Sequence, residues 1–250
     1  MPSNRPQLLF FSISLVSAAA LGYEILLMRL LSIVHWHHFA YMIISLALLG
    51  YGVSGTFLAI ARRWLQDHFA LAYVSNATAF GLAAISCFAL SQQVPFNALE
   101  VVWDPRQFVY LLIIYLLFFI PFLFAANCIG LAFMRYKALI GRIYLSDLVG
   151  AGIGAAAVIV SLFAFRPETY LQLLAVLALL GAVLASLDSA LRLPRWVAPA
   201  VLIFAAALLF GLPQSWLALR ISPYKGLSQA VQVLGTRVLS EHSNPLGLLT

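Results

Sequence analysis

A small set of titratable side chains lies in apolar surroundings: Glu24, Arg29, His35, His37, His38, Arg142 and Asp147. Glu24 sits inside the first long apolar run. A carboxylate at the centre of a membrane helix costs roughly 2.5–3.5 kcal/mol on insertion scales, so it is expected to face other helices, water or a partner charge. Asp147 begins the fifth apolar run, where the helix dipole favours a negative charge. Arg29 follows Glu24 and Arg142 precedes Asp147. The plain expectation is structural ion pairing between the first and fifth apolar helices. The functional alternative is a polar pathway in which Glu24, Asp147 and the histidines handle a cation. His35 and His38 stand at i, i+3 and can share a helical face. A metal would need further ligands and no cysteine lies nearby, so no metal site is expected. Interfacial anchoring is the plain reading of the histidines, and a proton-linked or substrate role is the functional one. No catalytic constellation and no cofactor site stands out.

Two groups of glycines accompany these residues. Gly50, Gly52 and Gly55 match the letters of a dinucleotide fingerprint. That fingerprint must follow a strand and open a helix, whereas these glycines lie within an apolar run of membrane-spanning length. Helix packing through small residues accounts for them better. Gly150 and Gly154, with Gly152 between them, form a GxxxG pair of the same helix-contact kind.

The elements that must position these groups follow from composition. With 64% hydrophobic and 9% charged residues, the chain is far from the soluble norm of about 25% charged. Apolar runs extend over roughly Leu8–Val34, Phe39–Ile60, Phe69–Ser91, Phe108–Phe133, Ile143–Phe165, Tyr170–Leu187 and Trp196–Leu212. Runs near ~20 residues cross a bilayer as helices, because lipid leaves backbone groups no other partners. The expected fold is therefore all-α: a polytopic membrane bundle of about seven transmembrane helices with a short mixed C-terminal tail. The start resembles a signal peptide, but apolar character continues past Ala20, so an uncleaved first helix is expected. Asn76 can hydrogen-bond a neighbouring helix, and Pro121 should kink its own. Cys87 and Cys128 fall in apolar runs and read as buried small hydrophobes.

The bilayer is the first expected partner. The net charge of +6 is spread over short loops and the tail and indicates topology and lipid-headgroup contact, not a nucleic-acid surface. Arg62, Arg63, Arg135, Lys137, Arg142, Arg192 and Arg195 gather in alternate loops. The positive-inside rule then places the N-terminus in the cytoplasm of a cell with the chain in its inner membrane. Residues 1–216 form the membrane domain. Residues 217–250 change character, and Asn244-Pro245-Leu246-Gly247 is a turn signal between Val238-Leu239 and Leu248-Leu249.

The stretches LGYEILLMRLLSIVHWHHFAYMIISLALLGYGVSGT, GRIYLSDLVGAGIGA and SPYKGLSQAVQVLGTRVLSEHSNPLGLLT together resemble the membrane-embedded spermidine-synthase-like proteins of bacteria. That resemblance implies a membrane module anchoring or serving an aminopropyltransferase-like soluble domain, of which 217–250 would be an incomplete start. A polyamine or a soluble catalytic domain would then be partners. The family's acidic catalytic residues and glycine-rich loop have no counterpart before Thr250, so the chain alone is expected to be inactive. The alternative is a small-molecule or polyamine transporter-like membrane protein.

Overall fold

The computed structural model describes residues 7–34, 37–163, 166–188, 191, 193–194, 196–211, 217, 242–243 and 248–249. The helices are α1 (Gln7–Val34), α2 (His37–Ile60), α3 (Arg62–Asp67), α4 (Phe69–Ser91), α5 (Arg106–Arg135), α6 (Ile140–Ser161), α7 (Pro167–Leu187) and α8 (Val197–Phe210). Six of them, α1, α2, α4, α5, α6 and α7, are long and apolar enough to cross a membrane. The expected seventh crossing is shorter. α8 has 14 residues, which at 1.5 Å per residue spans roughly 21 Å, less than a hydrocarbon core of about 30 Å.

Several hydroxyls inside the spans are satisfied by carbonyls of their own helices: Ser75 on Ala72, Thr78 on Val74, Ser91 on Phe88 and Ser186 on Val183. Such local bonds let polar residues sit in lipid without breaking a helix. α5 runs on through Pro121, which is buried against the bundle.

α1, α2, α5, α4 and α7 follow one another around a ring that closes where α7 meets α1. α6 packs mainly on the outside of α1, and α8 on α7. Tyr23, Phe80, Phe88, Phe118 and Phe122 fill the middle. Large apolar side chains such as Leu48, Leu112, Leu116, Leu148 and Ile153 point outward. So much exposed apolar surface is suited to lipid rather than water.

The loop from α4 to α5 is tied down. It holds a short 3₁₀ turn, Ala98–Val102, capped by the Asn97 side chain. Gln107 donates to Glu100 at 3.1 Å and accepts from the Asn97 backbone N–H at 2.9 Å. The described residues of the tail include a two-residue antiparallel ladder, His242–Ser243 with Leu248–Leu249. Leu248–Leu249 is thus one strand of a pair, as expected, while Val238-Leu239 lies outside the described residues.

Candidate functional site

α1 carries its polar groups toward its neighbours. Ser14 Oγ donates to the Ser146 carbonyl at 2.8 Å, and Ser17 Oγ donates to Asp147 Oδ1 at 2.5 Å. Both bonds exist because α6 approaches α1 backbone to backbone. A Cβ at Gly150 would overlap the Ser14 carbonyl, and one at Gly154 would overlap that of Ala18. Ser14 and Ala18 stand at i, i+4 on α1, and Gly150 and Gly154 at i, i+4 on α6, so the two faces mesh over one full turn.

Glu24 lies seven residues beyond Ser17, two turns along the same face of α1. It is half-buried, as is Asp147. Tyr51 of α2 carries its hydroxyl within electrostatic reach of both carboxylates. Two acids, the exposed Tyr51 phenol and the Ser17 hydroxyl, carried by α1, α2 and α6, thus lie within electrostatic range of one another. Among the described residues neither acid forms an ion pair, so the pairing expected between these two helices through Glu24, Arg29, Arg142 and Asp147 is not found there, and Asp147 accepts from Ser17 instead. Arg142 is exposed at the first turn of α6, two turns before the contact with α1 at Gly150 and Gly154.

A second polar set crosses the ring. Ser54 Oγ of α2 donates to Asn127 Oδ1 of α5 at 2.7 Å. Asn127 Nδ2 donates to Asn76 Oδ1 of α4 at 3.0 Å, and Asn76 Nδ2 donates to the Ala72 carbonyl at 2.7 Å. Close by, Ser12 Oγ donates to the Gly181 carbonyl at 2.6 Å and lies 3.0 Å from Tyr73 Oη, so Tyr73 is the donor in that second bond. Asn76 was legible as a helix-contact residue. Ser54 and Asn127 were not, although an asparagine inside FAANCIG is the signal that marks them.

Tyr23 stands apart. It is fully buried, with ring centroids 6.2 Å from Phe80 and 5.5 Å from Phe122. Its hydroxyl has no hydrogen-bond partner among the described residues. A buried unpaired hydroxyl costs about 1–3 kcal/mol. Tyr23→Phe should therefore raise stability by roughly 1 kcal/mol, read as a later midpoint in thermal unfolding in detergent; an earlier midpoint would show that the hydroxyl is satisfied.

The glycines divide. Gly50 abuts α5, where an added Cβ would come within 2.7 Å of Phe122 Cβ, while Gly52 and Gly55 have nothing within 4 Å. These two do not pack on a helix of this bundle, because the face of α2 that bears them points outward. His35 lies outside the described residues, and His37 and His38 belong to the first turn of α2. Asp188 was not singled out in the sequence. Its Oδ2 accepts from the Leu9 N–H at 3.0 Å, capping the otherwise unpaired start of α1 from the end of α7. No group of three metal-ligating side chains occurs among the described residues.

Six apolar spans, lipid-facing apolar surfaces and polar groups paired between helices define a multi-pass helical membrane protein. A family model described as benzoate membrane transport protein matches residues 133–216, which take in α6, α7 and α8. The match covers 84 of the 250 residues. It overturns the resemblance to spermidine-synthase-like proteins, because the segment holding GRIYLSDLVGAGIGA aligns with a transport family instead. Neither the curated proteins nor the solved structures gave a match.

Proposed function

We propose that this chain is a small-molecule transporter of the membrane, with the polar set of Glu24, Tyr51, Asp147 and Ser17 on its transport route. The observation that carries the reading is two half-buried carboxylates within electrostatic range of one tyrosine hydroxyl, with Asp147 inside the segment matched by the transport family. Intramembrane carboxylates persist where they serve an ion or proton pathway. The Ser17 hydroxyl fixes one oxygen of Asp147 and leaves the other to exchange a proton or meet a cation. The family's name makes benzoate the first substrate to try. The membrane unit on this reading is residues 1–216, a bound supported by the end of the family match at 216.

Purified protein in sealed vesicles, given labelled benzoate, should accumulate it above empty vesicles, and Asp147→Asn should lower the rate at least tenfold. No uptake by the unmodified protein would remove benzoate as substrate. Unchanged rates in both Asp147→Asn and Glu24→Gln would remove the polar set from the route.

The same reading places the N-terminus in the cytoplasm and the chain in the inner membrane. Arg62, Arg63, Arg135, Lys137 and Arg142 collect at one end of the spans, which supports that orientation. With the native Cys87 and Cys128 buried, Gln93→Cys should react with an impermeant thiol reagent added to intact cells and Asp67→Cys should not. The reverse pattern would invert the topology.

A further inference from the structure

The junction of α2 and α3 carries a feature outside the proposed transport route. The helix breaks at Ala61, and the turn bounds a cleft of about 520 Å³ lined by Ala59, Ile60, Ala61, Arg62, Arg63 and Trp64. Both arginines and Trp64 are exposed, and Ile60, at 83% exposed, extends the cleft along the outer face of α2. Neither guanidinium forms an ion pair with a carboxylate among the described residues, even though Asp67 lies on the same short helix. The indole of Trp64 stacks on the His68 ring at 5.1 Å, and His68 Nδ1 lies 3.1 Å from the Trp64 carbonyl. Leu65 and Phe69 anchor the junction in the core, and Phe69 meets the ring of Tyr136 edge-on at 5.5 Å. Arg135 and Lys137 flank Tyr136, so the same end of the bundle carries further positive charge.

We propose that this cleft binds the headgroup phosphate of an anionic phospholipid. Arginine presents a planar fork of donors that matches phosphate oxygens. Tryptophan at the edge of a span sits at headgroup level, with its indole N–H toward the polar layer. Ala59 and Ile60 offer an apolar track down which an acyl chain lies. The order of these groups along the chain, apolar track, then arginines, then indole, matches the order of a lipid from chain to headgroup. Two exposed arginines with no carboxylate partner among the described residues, carried on an anchored turn, are available to such a ligand.

The test uses the full chain in detergent with three probes: phosphatidylglycerol, phosphatidylcholine and inorganic phosphate. Native mass spectrometry should show phosphatidylglycerol retained at least fivefold more than phosphatidylcholine, with inorganic phosphate at millimolar concentration failing to displace it. Arg62→Gln/Arg63→Gln should reduce that retention at least fivefold, whereas Arg106→Gln, exposed at the other end of the spans, should leave it unchanged. Equal retention of the two lipids by the unmodified protein would overturn the proposal without any variant. Displacement by inorganic phosphate would assign the cleft to a free anion and overturn the lipid. Full retention in the double variant would move the site elsewhere.

Discussion

Gly154→Leu is expected to detach α6 from α1. A side chain at that position must enter space held by the Ala18 carbonyl, and a backbone cannot turn aside as a side chain can. Overpacking of a tight core costs about 1–3 kcal/mol, and here the upper part of that range applies. Helices in lipid associate through close packing and hydrogen bonds, with little hydrophobic drive to hold a strained pair together. The Ser14 and Ser17 bonds to α6 depend on the same approach and would be lost with it. The variant should unfold earlier in a detergent thermal scan, by several degrees, and transport should fall with it. Gly152→Ala is the control: nothing lies within 4 Å of its Cβ position, so alanine should be neutral or stabilise by up to ~1 kcal/mol through helix propensity. A Gly154→Leu protein as stable as the unmodified one would refute the α1–α6 contact.

Asn127→Leu is expected to have the second large effect. Its amide joins Ser54 and Asn76, so the change strips an acceptor from one and a donor from the other. Each buried group left unpaired costs about 1–3 kcal/mol. Ser54 can turn back to a carbonyl of its own helix, which softens its share, so a net loss of about 2 kcal/mol is expected. The triple change Ser54→Ala/Asn76→Leu/Asn127→Leu should recover most of that loss, because no polar group is then left without a partner. Unfolding by a denaturing detergent would rank the three proteins. A triple variant less stable than the single one would mean that volume, not hydrogen bonding, governs this site.

These effects separate two kinds of information. The boundaries of α4, at Phe69 and Ser91, are those of the apolar run, and α2, α5, α6 and α7 begin or end within a few residues of theirs. Gly150 and Gly154 were legible as a contact face, since GxxxG has a meaning within one helix. Their partners Ser14 and Ala18 were not, because α1 is rich in small residues and any of several faces could have met them. The last apolar run, Trp196 to Leu212, is the shortest in the sequence, and α8 follows it from Val197 to Phe210, with Gly211 closing the helix. The ion pairing expected between the first and fifth apolar helices is not found among the described residues, since α6 meets α1 at Gly150 and Gly154, beyond Arg142 at its exposed first turn, and Asp147 accepts from Ser17 instead.

By itself, the sequence determined that the chain crosses a membrane as helices. Each apolar run satisfies its own backbone N–H and C=O groups within a few residues, so that outcome needs no distant partner. Tertiary structure decided what the polar residues do. The Ser17 hydroxyl meets Asp147 across 130 positions, Asn127 meets Asn76 across 51, and Leu9 is capped by Asp188 across 179. Nothing local distinguishes a serine that bonds its own turn, as Ser75 does, from one that bonds another helix, as Ser17 does. The difference arises only when glycines let two backbones close to within reach.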